Sequence, residues 1–257
     1  LLAEARAVAA GNGWQWIADA WRFTGPQRWT FLGVFLLYIV VTIALGLVPL
    51  IGFIVSALLT PVVTAGFWVG CDAVRRGGTL EVECLFAGFR RQTGRLIALG
   101  AISFGVGIAI TVVVVGVFIA VFGIDLFAGG EPTIEDLRAL ALPVALMVLI
   151  VIALCLPIYM ALWFAGPLII LAGVDVGRAL GMSFAGCLRN VLPFLVWSVV
   201  VLVGALIGMA PLAIGWLLLG GVGIALGVIP ALLLWLFFSP TLMVSVYMGY
   251  RDIFFDA

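Results

Sequence analysis

The sequence predicts an all-α, polytopic membrane helix bundle, and three observations predict it. Of the 257 residues, 66% are hydrophobic and only 9% are charged, against about 25% charged in an ordinary soluble domain. A globule of this size has too little interior to shield so much apolar side chain from water, so lipid must be its solvent. The apolar residues also come in runs of roughly 20, the length that a helix rising 1.5 Å per residue needs to cross about 30 Å of hydrocarbon. Finally, the arginines sort to one side of those runs. Soluble enzymes, disordered chains, nucleic-acid binders and disulfide scaffolds are all excluded on composition, and membrane lipids are the partner it demands.

The first run, 29–48, closes on the turn Pro49-Leu50-Ile51-Gly52. Runs at 53–71, 96–122, 140–172 and 191–210 follow, and 212–247 is the sixth. If straight, the sixth would reach roughly 54 Å, so a bent or discontinuous helix is expected there, with Gly220-Gly221, Pro230 and Pro240 as the breaks. Pro157 and Pro167 offer the same relief to the fourth. Arg6, Arg22, Arg28, Arg75, Arg76, Arg90, Arg91, Arg95, Arg178, Arg189 and Arg251 precede the first run or lie in the connections after the second, fourth and sixth. Only Arg138 lies opposite, beside Asp125, Glu131, Glu135 and Asp136. Six crossings make this a positive-inside pattern, which puts both termini in the cytoplasm. An odd number of crossings would spoil the sorting. Positions 1–28 carry charges and no long apolar run, which is not the pattern of a signal peptide.

The chain reads as one transmembrane domain, 1–257, built from three repeats at 12–78, 79–174 and 175–257. Phe86-Ala87-Gly88-Phe89-Arg90-Arg91 is echoed by Phe184-Ala185-Gly186-Cys187-Leu188-Arg189. Pro61 lies nine residues before Gly70 and Pro240 nine before Gly249, with Trp68 and Tyr247 in matching places. Pro167 and Gly173 form a looser third copy. Each repeat is thus a short interfacial helix followed by a two-span hairpin, and equal orientation of all three implies a pseudo-threefold axis along the membrane normal.

Helical spacing defines the interfacial elements. Trp14, Ile17, Ala18 and Trp21 share one face, with Gln15, Asp19 and Arg22 opposite and Asn12 as N-cap. Val82, Leu85, Phe86 and Phe89 repeat that spacing, with Glu83 and Arg90 opposite. Asp175 caps the third, which carries Leu180, Phe184 and Leu188. Aromatic residues beside arginine suit the headgroup layer of an anionic leaflet; packing across the mouth of the bundle is the alternative. The candidate lipid- or partner-contact residues are Trp14, Ile17, Trp21, Arg22, Phe86, Phe89, Arg90, Arg91, Arg95, Phe184 and Arg189. On the other side, Thr133-Ile134-Glu135-Asp136 reads as a capping box, and a cation site among Asp125, Glu131, Glu135 and Asp136 is the alternative reading of those acids.

Chemistry-bearing signals are sparse. The chain has no His and no Lys, which removes an imidazole base or ligand and a Schiff-base or P-loop lysine. No Asp, Glu or Arg falls within the core of a run, where proton relays and voltage sensors need them. Thr60-Pro61 and Ser239-Pro240, with Pro167, are the candidate helix-break or gate positions: a hydroxyl beside a proline either faces a cavity or repairs the kink. Cys71, Cys84 and Cys187 fall near the arginine-bearing end and Cys155 lies mid-run, with no CxxC spacing; free thiols are expected, a three-thiolate metal site being the alternative. Catalytic, cofactor-binding and metal-ligating residues are therefore expected to be none. Asp72, Glu81 and Glu83 would carry the chemistry if the protein were an interfacial lipid enzyme.

Gly11-Asn12-Gly13-Trp14, Pro49-Leu50-Ile51-Gly52 and Leu85-Phe86-Ala87-Gly88-Phe89-Arg90 resemble the Gly-x-x-Trp start, the Pro-x-x-Gly turn and the Leu-Phe-x-Gly-Phe-Arg element of a family of six-span bacterial inner-membrane proteins with no assigned chemistry. The similarity covers residues 5–100 well and the rest in hydropathy. The six-span layout is remotely similar to the membrane domain attached to some glycerophosphodiester phosphodiesterases, without the catalytic domain that carries their activity. The resemblance implies fold and location. The functional expectation is a non-catalytic, lipid-associated accessory or assembly component that acts by contact, with a protein partner or a second copy of the chain as further candidates. The alternative is a transporter or flippase for an apolar or amphipathic molecule.

Overall fold

The computed structural model describes residues 1–2, 4–47, 49, 51–122 and 134–255. Among them every regular element is helical: α1 (Asn12–Thr24), α2 (Arg28–Gly46), α3 (Gly52–Arg75), α4 (Ala87–Arg90), α5 (Thr93–Phe122), α6 (Ile134–Trp163), α7 (Ala165–Ala172), α8 (Val176–Arg189), α9 (Val191–Gly208) and α10 (Ala210–Phe254), with 3₁₀ turns at Gly25–Gln27 and Val82–Phe86. Helices satisfy their backbone polar groups locally, which is what a chain immersed in hydrocarbon requires. Among the described residues five stretches are long and apolar enough to cross a membrane: Asn12–Gly46, Gly52–Arg75, Thr93–Ile119, Leu142–Ala172 and Val191–Phe254.

The fifth stretch, 64 residues long, folds back on itself. Gly220 adopts φ 60°, ψ −136°, a conformation that a side chain disfavours. A Cβ on Gly215 would lie 2.1 Å from the Gly223 carbonyl oxygen, and one on Gly227 would lie 2.5 Å from that of Pro211. A continuous helix would hold these pairs roughly 12 and 24 Å apart, so the two arms run antiparallel about Gly220. This corrects the boundary expected between 210 and 212. There the helix only steps at Met209, whose N–H bonds the Ala205 carbonyl at 3.0 Å. Pro211 sits in the first turn of α10, where a missing N–H costs nothing. Proline therefore starts a helix here, and glycine makes the turn.

The core gathers at the arginine-bearing end, where Phe31, Phe67, Leu96, Phe164, Tyr247 and Phe254 are all fully buried. Farther along, the same helices expose their side chains: Leu206 is 61% and Leu218 74% exposed. In lipid such a surface is the expected one.

The short elements interlock the long ones. α1 packs against α9 and α10, the Val82–Phe86 turn and α4 pack against α3, and α8 packs against α6 and α7. Glycine sets the close approaches: a Cβ on Gly13 would lie 2.0 Å from the Pro193 carbonyl oxygen, and one on Gly88 2.0 Å from that of Val62. Gly70 receives the Leu80 side chain, and Gly249 receives the Trp16 ring. The second short element is not the single amphipathic helix that its spacing suggests. It is a 3₁₀ turn plus one α-turn, pressed so closely on α3 that the Cys84 and Leu85 carbonyls cover Gly66.

The fourth stretch breaks at Phe164, not at Pro157, which lies inside α6. The Ser183 hydroxyl of α8 donates to the Met160 carbonyl at 2.7 Å and accepts the Phe164 N–H at 2.9 Å. These two groups would pair with each other in an unbroken helix, so the serine is inserted into the ladder. Pro167 falls in the first turn of α7 and removes no needed bond. Ser183→Ala is expected to let Phe164 rejoin Met160 and straighten the stretch; spin-label distances between its two ends should lengthen by several ångströms, and unchanged distances would assign the break to Pro167 instead.

Candidate functional site at the arginine-bearing end

α1 carries three faces rather than two. Gly13, Trp16, Ala20 and Thr24 are buried against the bundle. Trp14 is 54% exposed, with Ile17, Ala18 and Trp21 partly so, on a second face. Gln15, Asp19 and Arg22 form the third. α8 follows the same plan: Ala179, Ser183, Gly186 and Cys187 go inward, while Leu180 and Phe184 stay partly exposed and Leu188 exposed. In both helices mostly small residues face the protein and large apolar ones are left outward, Trp16 being the large ring that α1 turns inward. Trp16 escaped the sequence reading because it falls outside the stripe of spaced apolar residues. The small-residue stripe beside it was the available signal.

Both proposed caps do other work. Gly11, not Asn12, precedes α1, and the Asn12 amide donates to Asp252 at 2.7 Å. Asp175 does stand at the start of α8, but its side chain caps nothing; it pairs with Arg95 at 2.6 Å.

Three polar hubs tie this end together. Asp252 at the end of α10 accepts from Arg6, from Asn12, and from Trp16 Nε1 at 2.8 Å. Asn190, between α8 and α9 and wholly buried, accepts the Val8 N–H at 2.8 Å and donates to the Arg6 and Gly186 carbonyls. Asp72 on α3 pairs with Arg75 and Arg76 and accepts from Tyr247 at 3.1 Å, joining α3 to α10. The segment before α1 is strapped across the bundle, since Leu2 and Arg6 donate backbone N–H groups to Phe254 and Ile253, and Arg189 pairs with Glu4.

The other predicted contact residues sit on the rim. Phe86 and Phe89 are 43% and 42% exposed, next to exposed Arg90 and Arg91. Trp21 stacks on Phe238 and lies under the Arg28 guanidinium, 3.4 Å from its ring centroid. Such cation–aromatic contacts suit a headgroup layer. Of the candidate gate residues, Pro167, Ser239 and Pro240 are buried, whereas Thr60 and Pro61 are partly exposed. α3 and α10 continue through Pro61 and Pro240, and Thr60 and Ser239 donate back to the Ser56 and Trp235 carbonyls.

Asp72, Glu81 and Glu83 do not form a site: Asp72 is taken up by its arginines, and both glutamates are exposed. Among the described residues no group of three His, Cys, Asp or Glu could hold a metal. Burial pushes the Cys187 thiol up to about 12, so it stays protonated and unreactive. The acids Asp125 and Glu131 lie outside the described residues, as do the side chains of Glu135 and Asp136 and that of Arg138.

The chain is similar to a protein of Burkholderia thailandensis named as a probable inner membrane protein, with 29% identity over 207 residues, 74% of this chain and 72% of that one. Together with the apolar helices, that likeness makes this a multi-pass inner-membrane protein. No protein-family model matches the chain, and no solved structure matches it.

Proposed function

We propose that this protein is a non-catalytic, lipid-associated component of the bacterial inner membrane that acts by contact. It crosses six times, as three two-span repeats at 12–78, 79–174 and 175–257, with both termini in the cytoplasm. The reversal at Gly220 supports the sixth crossing, because it divides the last apolar stretch into two antiparallel arms. The cyclic packing supports the repeats: the interfacial element of each rests on the second span of the one before it, α1 closing the ring against α10. Positive-inside sorting then assigns the arginine-bearing end to the cytoplasm.

The observation that carries the lipid reading is the three-faced build of α1 and α8. Trp14 on α1 and Leu188 on α8 are exposed, with Ile17, Leu180 and Phe184 partly so, between a buried stripe of mostly small residues and a polar face. α1 turns Trp16 inward for packing, but a helix that served packing alone would not leave Trp14 outside; one lying in the headgroup layer turns such a ring toward acyl chains. Native mass spectrometry on protein released from native-membrane nanodiscs should find reproducible phospholipid adducts, depleted severalfold by combined Trp14→Ser, Phe86→Ser and Phe89→Ser changes. A lipid-free chain with a stoichiometric second polypeptide would replace lipid with a protein partner or a second copy as the contact.

One observation favours a second reading, a transporter or flippase for an apolar or amphipathic molecule. Toward the far side α9 and the first part of α10 are exposed on nearly every face, so this pair of helices is packed little against the other spans, as a moving gate would be. Movement of labelled lipid in proteoliposomes, abolished by Pro61→Ala or Pro240→Ala, would favour it over the contact reading.

A further inference from the structure

A cleft of about 280 Å³ opens between α1 and the end of α10. It lies near the lower edge of the roughly 300–1,000 Å³ typical of small-molecule sites, room for a headgroup but not for acyl chains. We propose that it binds a phosphate group, the chemistry shared by a phospholipid headgroup and free phosphate. The lipid source rests on the lipid-contact reading above; the phosphate chemistry does not.

The floor is already satisfied. Asp252 is occupied by Arg6, Asn12 and Trp16, so it neither needs a ligand cation nor can shift to make room. The rim is not satisfied. The Arg251 side chain makes no hydrogen bond or ion pair among the described residues, and its guanidinium carbon lies 4.1 Å from the centre of the Phe255 ring. That contact holds the group in place without using its N–H donors, which remain available to grip phosphate oxygens two at a time. The Gln15 side-chain amide, also in the lining, has no hydrogen bond among the described residues either.

Charge selects the ligand. Arg6 cancels Asp252, and Arg22 cancels Asp19, the other acid of the lining. Among the described residues Arg251 is left as one uncompensated positive charge, matching the single negative charge of a phosphodiester. Met248 and the Trp16 ring supply the apolar wall. On α1 the lining residues Asn12, Gln15 and Asp19 point well away from Trp14 around the helix, at the 100° per residue of an α-helix. The cleft therefore opens toward water at headgroup level, not into hydrocarbon.

The test uses the full chain in a neutral detergent, with dihexanoylphosphatidylglycerol and inorganic phosphate as separate probes and chloride at equal ionic strength as the blank. Intrinsic tryptophan fluorescence, to which Trp16 in the cleft wall contributes, and native mass spectrometry report binding. At least one probe should bind the unmodified protein, Arg251→Gln should weaken it about tenfold, Arg251→Lys should lose less, and Arg178→Gln, at an exposed arginine outside the cleft, should change nothing. Gln15→Ala, at an exposed position, provides a second variant if Arg251→Gln fails to fold, and it should weaken binding severalfold. Binding of the short lipid alone assigns a headgroup. Binding of phosphate by a chain that retains no lipid in native nanodiscs keeps the site and rejects the lipid-contact reading. If lipid is retained equally by Arg251→Gln and Gln15→Ala at an unchanged melting midpoint, that reading survives and the cleft proposal is overturned; absence of binding by either probe overturns it as well.

Discussion

Gly88→Ala is expected to unseat α4 from α3, with a loss of about 3 kcal/mol, the upper range for forcing extra atoms into a packed contact. The new Cβ would stand 2.0 Å from the Val62 carbonyl oxygen, far inside van der Waals contact. The obstacle is backbone in the middle of α3, not the end of a flexible side chain, so relief requires the whole Leu85–Phe89 segment to lift. Lifting it would uncover Leu85, which is wholly buried, and separate the Cys84 and Leu85 carbonyls from Gly66. Melting in detergent, followed by tryptophan fluorescence, should show a lowered midpoint, and Cys84 should label faster with a maleimide. Gly177→Ala is the control. Nothing lies within 4 Å of where its Cβ would go, and alanine in a helix is better than glycine by roughly 0.5–1 kcal/mol, so its midpoint should hold or rise slightly. Equal midpoints for the two variants would mean that α4 does not seat on α3 this way.

Gly88 also illustrates what was legible from the sequence. It was visible as half of an echo, Phe86-Ala87-Gly88 against Phe184-Ala185-Gly186, and both glycines are buried contact points. Pro61/Gly70 and Pro240/Gly249 were visible for the same reason: each glycine receives a side chain from the interfacial element packed against its helix. Hydropathy located the membrane stretches because lipid imposes a length that can be counted. It misplaced the last turn because it treats proline and glycine alike as breakers, whereas Pro211 starts α10 and Gly220 reverses it. The long-range polar contacts were not legible. Asp252 and Ser183 lie far along the chain from the groups they bind, as does Asn190 from Arg6 and Val8, and no local period connects Arg6 with Asp252 or Ser183 with Met160. Nor did amphipathic spacing find Trp16, because a helix touching protein, lipid and water at once has no single apolar stripe.

Asn190→Leu should be as damaging as Gly88→Ala, and for the opposite reason: it removes partners instead of adding atoms. The Asn190 amide is wholly buried and ties the segment before α1 to the α8–α9 junction, accepting the Val8 N–H and donating to the Arg6 and Gly186 carbonyls at 2.8–2.9 Å. Leucine fills a similar volume and pairs with none of them, leaving one buried and two part-buried polar groups unpaired at up to about 1 kcal/mol each, at most about 3 kcal/mol together. The cheapest escape is for the N-terminal strap to leave, because α8 and α9 are held by their own packing. Its departure would break the bonds from Leu2 and Arg6 to the end of α10 and withdraw Arg6 from Asp252. Hydrogen–deuterium exchange in nanodiscs should then show the amides of Leu2, Arg6 and Val8 exchanging at nearly unprotected rates, while α3 and α5 stay protected. Asn190→Asp separates the two halves of the argument: it can still accept from Val8 but cannot donate to Arg6 or Gly186, so the strap should loosen there too. A strap that stays protected in both variants would mean that Arg189 and the backbone bonds hold it unaided. A strap that leaves should also reduce phosphate binding at Arg251, since the floor of the cleft leaves with Arg6.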